Sequence, residues 1–268
     1  MRKELLGGML GANLVTFQTR EYARHFLQTC SRILSVETID SGVQLDNRFV
    51  NVWCSPIGID PRAVDVAREE PDVLGWIEAM QKRYEHKKVI VACDKFDRIR
   101  GVKQKLLAFE LFLKLNPQWK EKVVLIQVAI PTTEDTGLAA AVSDIVTRID
   151  AVHSTLTHSP LVFLRQDVSA SQYLALLSIA ATLAVTSLRE GMNLTCHEYL
   201  MCQDGKASGK EHGPVILSEF TGCASVFDGA ALVVNPWDFR NVSEAFKTGL
   251  EMGEEEKERR YEKMRKVV

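Results

Sequence analysis

The sequence predicts an α/β protein built on a parallel β-sheet, and its pattern of alternation carries this prediction. Short apolar runs rich in β-branched residues alternate with amphipathic stretches long enough to form helices. From residue 89 onward the apolar runs recur near residues 90, 125, 162, 184, 216 and 233. Helices of ten or more residues between strands are typical of βαβ units. Six such strands predict a doubly wound sheet that binds ligands at the carboxyl ends of its strands.

The individual elements follow from composition and period. Val89–Cys93 is a continuous apolar run of the kind that fills a central parallel strand. Apolar residues at helical spacing predict a strong amphipathic helix over Val102–Leu115. The predicted strands of this region are residues 89–93, 123–130, 161–164, 180–185, 215–217 and 231–234. The predicted helices are residues 73–84, 102–115, 138–155, 169–181, 193–202 and 241–268.

The first sixty residues form a different part of the chain. They contain a strand at residues 14–17, a helix at 20–34 and a strand at 49–57, which are too few strands for a separate domain. Asp60 and Pro61 then predict a helix start, with Asp60 as the N-cap and Pro61 at the first helical position. We therefore expect a boundary between residues 1–60 and residues 61–268.

Composition excludes several classes of function. Hydrophobic residues make up 46% and charged residues 25% of the chain, and the net charge is −2, so no basic excess indicates nucleic acid and no membrane surface is indicated. The six cysteines have neither CxxC nor zinc spacing, which predicts buried free thiols in a reducing compartment and no metal site. No apolar run has transmembrane length, and the amino terminus lacks a signal-peptide core, so we expect a cytoplasmic location.

The most informative segment is the polar turn of residues 186–194. It follows an apolar run and precedes a helix that carries Glu198 a little over one turn from its start. Backbone N–H groups at a helix start bind anions or sugar hydroxyls, and the carboxylates of Glu190 and Glu198 can accept hydrogen bonds from hydroxyls. An ordinary βα connection with two solvated acids is the alternative that spacing alone leaves open.

Several stretches together resemble the trehalose-6-phosphate synthases, glycosyltransferase family 20. The matching stretches are residues 4–6, 9–12, 22–26, 56–60, 101–102, 104–106, 108–110, 189–194, 198–199, 217–222 and 234–237. The resemblance implies a two-domain GT-B fold in which the carboxyl-terminal Rossmann-like domain holds UDP-glucose. Residues 1–60 then correspond to the tail end of the amino-terminal domain, and residues 61–268 to the UDP-sugar side. The first half of the amino-terminal domain, with its catalytic histidine, is expected to be absent, so no catalytic residue is assigned.

The family's donor-site residues can be transferred to this sequence one at a time. Lys95 and Arg100 match the Arg and the Lys that grip the diphosphate in the family, with the two residue types exchanged. The exchange is not conservative where a guanidinium binds as a fork. Glu190 replaces the Asp that meets the donor glucose, and Glu198 matches the Glu that binds ribose. The residues expected to cradle the sugar and the diphosphate are Gly191, Asn193, Leu194 and Thr195.

A third loop departs further from the family pattern. Where the family usually has Pro-Ser-Arg-Gly-Asp, residues 131–135 read Pro-Thr-Thr-Glu-Asp. Thr133 thus replaces an arginine associated with the substrate cleft, and Glu134 replaces a glycine. Negative charge added near a phosphate pocket repels the ligand.

Changes in three separate loops predict a non-catalytic regulatory subunit of a trehalose synthase complex, of the kind that fungi carry beside the active synthase. The implied partners are the trehalose-6-phosphate synthase and phosphatase subunits. UDP-glucose or UDP is the possible ligand, and neither a metal nor a further cofactor is implied. Two alternatives stay open. One is a fragment of an active, retaining UDP-glucose:glucose-6-phosphate glucosyltransferase, and the other is an unrelated α/β domain that binds a sugar nucleotide.

Overall fold

The computed structural model describes residues 1–132, 135–204 and 212–268. Within them the chain divides into two compact units, Met1–Gly58 and Ile59–Val268. Thr133 and Glu134, which the sequence analysis singles out as altered positions, lie outside the described residues. Among the residues that are described, no helix combines the length and the apolar character needed to cross a membrane.

Unit 1 contains a four-stranded sheet in the order β1-β4-β3-β2. The strand β4 pairs parallel with β1 and antiparallel with β3, and β3 pairs antiparallel with β2. Buried valines on β3 and β4 pack against apolar side chains of the two helices. The elements are α1 (Arg2–Met9), β1 (Leu14–Phe17), α2 (Arg20–Leu34), β2 (Glu37–Ile39), β3 (Gly42–Leu45) and β4 (Arg48–Cys54).

The sequence analysis misses the hairpin formed by β2 and β3. These strands have three and four residues and include polar side chains, so they lack the apolar run that identifies the other strands. The strand predicted at 49–57 is also too long, because β4 ends at Cys54. Unit 1 therefore has four strands, where the sequence analysis counts two.

Unit 2 is a six-stranded parallel sheet with helices on both faces. Its strands are β5 (Lys88–Phe96), β6 (Val123–Pro131), β7 (Leu161–Leu164), β8 (Thr182–Val185), β9 (Val215–Ser218) and β10 (Leu232–Val234). Its helices are α3 (Pro61–Ala67), α4 (Pro71–Arg83), α5 (Val102–Leu115), α6 (Thr136–His153), α7 (Ala170–Ile179), α8 (Leu194–Cys202), α9 (Gly222–Val226), α10 (Phe239–Glu251) and α11 (Glu254–Arg265), with a 3-10 turn at Pro117–Trp119.

Successive residues of β5 supply two separate cores. Val89 and Val91 belong to the cluster on one face of the sheet, and Ile90 and Ala92 belong to the cluster on the other. A strand that is buried on both faces has no polar alternation, which is why it reads as a continuous apolar run in the sequence. The helical stretch predicted from residue 241 to the end, with a charged helix at its close, consists of α10 and α11, which are separated by non-helical backbone at Met252 and Gly253.

The strands of the sheet lie in the order β10-β9-β8-β5-β6-β7. The side on which the chain adds successive strands changes between β5 and β8. From β5 the chain builds outward through β6 and β7, and from β8 it builds outward on the other side through β9 and β10. The loops that leave β5 and β8 therefore diverge to opposite faces. In an open parallel sheet, such a switch point forms a crevice at the carboxyl ends of the strands.

The loops that follow β5 and β8 contact each other at Gly101. It caps the start of α5 with φ +71°, and a Cβ atom built at this position would lie 2.1 Å from the carbonyl oxygen of Thr186. The backbone N–H of Leu188 also donates a 2.7 Å hydrogen bond to the carbonyl of Ile99. Only a glycine accommodates both the positive φ and this close approach.

We predict that Gly101→Ala lowers the free energy of unfolding by more than about 2 kcal/mol, because it adds left-handed strain and a clash with the Thr186 carbonyl. The measurement is urea unfolding followed by circular dichroism. Gly75→Ala is the matched control, since no atom lies within 4 Å of its Cβ position inside α4. The control should be neutral or stabilising by about 0.5–1 kcal/mol, and equal losses in both variants would contradict the prediction.

Candidate functional site

A cavity of about 540 Å³ lies at the carboxyl edge of the sheet in unit 2. Its size falls within the range of about 300–1,000 Å³ that is usual for small-molecule sites. It contains seven of the eight residues that the sequence analysis assigns to nucleotide-sugar binding; Gly191 is not among the lining residues. The lining consists of Cys93, Asp94, Lys95, Arg100, Ile130, Asp167, Val168, Ala170, Tyr173, Glu190, Asn193, Leu194, Thr195 and Glu198.

Arg100 and Glu190 form an ion pair in the wall of this cavity. The guanidinium of Arg100 donates from Nη1 to Oε1 of Glu190. The other carboxylate oxygen, Oε2, accepts from Ser187 Oγ at 2.8 Å and from Asn193 Nδ2 at 3.2 Å. The side chain of Glu190 is only 7% exposed and that of Arg100 is 26% exposed. The positive charge of Arg100 is therefore balanced from within the protein.

Lys95 lies near the end of β5 and is exposed in the wall of the cavity. Within the described parts of the chain it has no carboxylate partner in an ion pair. The next residue toward the strand start, Asp94, instead receives hydrogen bonds from Lys105 Nζ at 2.5 Å and from Gln127 Nε2 at 2.9 Å. The side chains of Lys105 and Asp94 are 0% and 1% exposed. Among the described residues, Lys95 is thus the lining cation that is left available to an anionic ligand.

Glu198 points into the cavity from the second turn of α8. Its Oε2 accepts a hydrogen bond from the phenol of Tyr173. Burial, and after it the charge of Glu198, raises the pKa of Tyr173, while a hydrogen bond with Thr195 acts in the opposite direction. The phenol therefore keeps its proton and serves as a donor to Glu198.

The start of α8 is fixed to the neighbouring helix α9. Asn193 caps α8 through its side chain, which accepts from the N–H of Cys196 at 3.3 Å. The N–H of Asn193 donates to Sγ of Cys223 at 3.2 Å. Hydrogen bonds from Cys196 and His197 lower the pKa of the buried Cys223. The helix start that presents Leu194 and Thr195 to the cavity is held by these contacts.

Cys93 is a passive part of the cavity wall. Burial raises the pKa of its thiol to about 12, so it stays protonated at neutral pH. The residues that the structure describes contain no group of three or more His, Cys, Asp or Glu side chains that could hold a metal ion. The charged groups that line the cavity are the carboxylates of Asp94, Asp167, Glu190 and Glu198 and the cations Lys95 and Arg100.

Sequence reasoning does not identify Tyr173, Asp167 or Asp94 as part of this site. Tyr173 and Asp167 follow β7, whose carboxyl end lies at the same edge of the sheet as those of β5 and β8. The rule that ligands bind at the carboxyl ends of parallel strands was the available signal, because it applies to every strand of the sheet. Asp94 directly follows the apolar run Val89–Cys93 and is the only acidic residue within β5.

We predict that Lys105→Met lowers the free energy of unfolding by about 3–5 kcal/mol, because it leaves the buried carboxylate of Asp94 without its cation. Urea unfolding provides the measurement. The control is Arg148→Met, which breaks the more exposed ion pair with Glu110 and should cost less than about 1 kcal/mol. A loss of similar size in both variants would show that the buried pair has no special role.

The family model described as Glycosyltransferase family 20 matches residues 1–268. A 100 kDa subunit of a putative alpha,alpha-trehalose-phosphate synthase from Schizosaccharomyces pombe is 48% identical over all of this chain, which spans 30% of that relative. The trehalose synthase complex regulatory subunit TSL1 of Saccharomyces cerevisiae is 43% identical, and the chain spans 24% of it. The solved amino-terminal domain of Candida albicans trehalose-6-phosphate phosphatase superposes with a TM-score of 0.91 at 37% identity, over 99% of this chain and 56% of that one.

These similarities confirm the predicted fold class, an α/β fold of the GT-B type with a Rossmann-like parallel sheet flanked by helices. They also exclude the third alternative from the sequence analysis, an unrelated sugar-nucleotide-binding domain. The chain spans about a quarter to a third of the length of these two curated relatives.

Proposed function

Because this chain belongs to glycosyltransferase family 20, we propose that it acts in trehalose biosynthesis as a non-catalytic regulatory subunit with a weakened UDP-glucose site. Its partners are the trehalose-6-phosphate synthase and phosphatase subunits of a cytoplasmic complex. Unit 1 is then the tail end of the amino-terminal GT-B domain, and unit 2 is the UDP-sugar side. The regulatory subunit among its relatives and the closed ion pair in the cavity both support this role.

The ion pair between Arg100 and Glu190 is the observation that carries the proposal. A diphosphate can use Nη1 of Arg100 only after it displaces Glu190, and a contact with the other N–H groups meets a guanidinium whose charge is already paired. The displaced carboxylate is almost fully buried and would face the incoming negative charge. Attraction between Arg100 and the ligand is then offset by the loss of an existing bond and by repulsion. A diphosphate consequently gains little binding free energy from Arg100.

The departures from the family at Glu190 and Arg100 account for the ion pair between these two residues. Glu190 is one methylene longer than the Asp of the family, and Arg100 carries a longer and wider cationic group than Lys. Together they span the gap between the loops that follow β5 and β8. Lys95, as a compact point charge, lacks the fork of donors that binds two phosphate oxygens at once. The changes at Lys95, Arg100 and Glu190 therefore all affect binding of the diphosphate.

The alternative is an active, retaining UDP-glucose:glucose-6-phosphate glucosyltransferase. One observation favours it: the cavity is open, and Lys95 and Glu198 both face into it. In that case Lys95 and Arg100 would stabilise the negative charge on the departing diphosphate. Glu198 would hold the ribose and Glu190 the glucose.

Titration of UDP and of UDP-glucose into the chain by isothermal calorimetry separates the two functions. We expect a dissociation constant weaker than about 1 mM for both ligands, because Arg100 is already paired and Lys95 is the lining cation without an ion-pair partner among the described residues. We also expect no release of UDP when UDP-glucose and glucose-6-phosphate are supplied together. Micromolar binding of either ligand would contradict the regulatory role and favour the enzyme.

We predict that Glu190→Gln tightens the binding of UDP by about tenfold or more, because it removes a negative charge and releases Arg100 for a charge-assisted hydrogen bond to phosphate. Calorimetry with UDP is the measurement, and uridine, which lacks the diphosphate, should bind no more tightly than before. Glu110→Gln is the matched control because it neutralises the carboxylate of another Arg–Glu pair that lies outside the cavity. Unchanged UDP binding in Glu190→Gln would reject the ion pair as the cause of weak binding.

A further inference from the structure

We propose that Tyr173 limits the affinity of the cavity for ribose-bearing ligands, because its phenol already occupies the carboxylate of Glu198. This inference rests on the proposed uridine-nucleotide site. It concerns the ribose side of the cavity at Glu198 and not the diphosphate side at Arg100. Tyr173 thus competes with a ligand hydroxyl for the carboxylate of Glu198. It lowers the affinity for ribose through this contact.

The position of Tyr173 is set by its helix. Ser169 caps α7 and forms a capping box with Gln172, through hydrogen bonds of 3.2 Å and 3.1 Å. The N–H of Tyr173 donates to the carbonyl of Ser169 at 2.9 Å, so the residue lies in the first turn of a well-capped helix. The helix α7 packs against α8, which carries Glu198. The ring therefore reaches Glu198 from a fixed backbone.

The phenol of Tyr173 donates to Oε2 of Glu198 inside the cavity. Thr195 and Glu198 lie on the same helix, three residues apart, and all three residues line the cavity. The tyrosine is consequently part of the binding surface and not merely packed behind it.

A ribose presents two neighbouring hydroxyl groups as donors. A carboxylate binds such a pair best when each of its oxygens accepts one hydroxyl. In this structure Oε2 already accepts from a protein donor, and a hydrogen bond to an ionised carboxylate is stronger than one between neutral groups. A ribose must either displace the phenol or share the oxygen. Exchange of one hydrogen bond for another yields little net binding energy.

Removal of the phenolic hydroxyl alone leaves Glu198 with an unused acceptor inside a partly buried site. An unsatisfied buried acceptor is costly, and a ligand hydroxyl that satisfies it recovers that cost. Tyr173→Phe should therefore bind ribose more tightly than the original protein. If Tyr173 instead orients Glu198 for the ligand, the same substitution weakens binding, so the two roles predict opposite signs.

The test compares uridine with 2′,3′-dideoxyuridine, which lacks both ribose hydroxyls, by ligand-observed NMR titration. Tyr173→Phe is expected to bind uridine about tenfold more tightly than the unsubstituted chain, with no change for dideoxyuridine. Tyr261→Phe is the matched control, since it removes a phenol that donates to Asp204 outside the cavity. Circular dichroism and thermal unfolding verify that each variant is folded.

Unchanged or weaker uridine binding in Tyr173→Phe overturns the inference. An equal gain for dideoxyuridine also overturns it, because the cavity would then have opened without regard to hydroxyl groups. Glu198→Gln provides a second test that does not depend on the folding of the tyrosine variant. Because the carboxylate is already occupied, this substitution should change uridine affinity less than about twofold, and a tenfold loss would show that ribose already uses Glu198.

The outcome is separable from that of the proposed function. Tight binding of UDP by the unsubstituted chain would reject the regulatory role, whereas the comparison of Tyr173→Phe with the unsubstituted chain retains its meaning at any starting affinity. Conversely, a failure of Tyr173→Phe to gain uridine binding leaves the Arg100–Glu190 argument intact. The two substitutions act on different parts of the ligand.

Discussion

The parallel pairing of β5 with β8 is the constraint from which the rest of unit 2 follows. It places the switch point at the centre of the sheet and sends the loops after the two strands to opposite faces. The loops nevertheless meet at Gly101, whose missing side chain admits the Thr186 carbonyl. The cations on one loop and the carboxylate on the other are thereby brought into one wall. The cavity is a consequence of strand order rather than of any single residue.

The two glutamates of the cavity both accept hydrogen bonds from protein donors. Glu190 is bound by Arg100, Ser187 and Asn193, and Glu198 is bound by Tyr173. A site prepared for a ligand leaves some of its polar groups for the ligand to complete. Among the described residues both glutamates have internal partners and Lys95 has no ion-pair partner, so a ligand must exchange hydrogen bonds at the two glutamates rather than add them.

Sequence alone predicts the elements whose pattern is dominated by burial. The run at Val89–Cys93 is identified because both faces of β5 are covered. The β2–β3 hairpin is not, since its pairing depends on β4 rather than on its own apolar content. In the site, family motifs identify Arg100 and Glu198 but give no indication that Arg100 pairs with Glu190. Tyr173 lies 25 residues from Glu198 along the chain, and only the packing of α7 on α8 brings them together.

The central sheet tapers toward its margins. The inner strands β5 and β6 have nine residues each, whereas the outermost strands β7 and β10 have four and three. Short outer strands expose few unpaired backbone N–H and C=O groups, so they are poor templates for adding a strand from another chain. The margins of this sheet are therefore poor sites for fibril-like stacking. A chain that bound at either margin would have to rely on side-chain contacts, which can discriminate between partners in a way that backbone pairing does not.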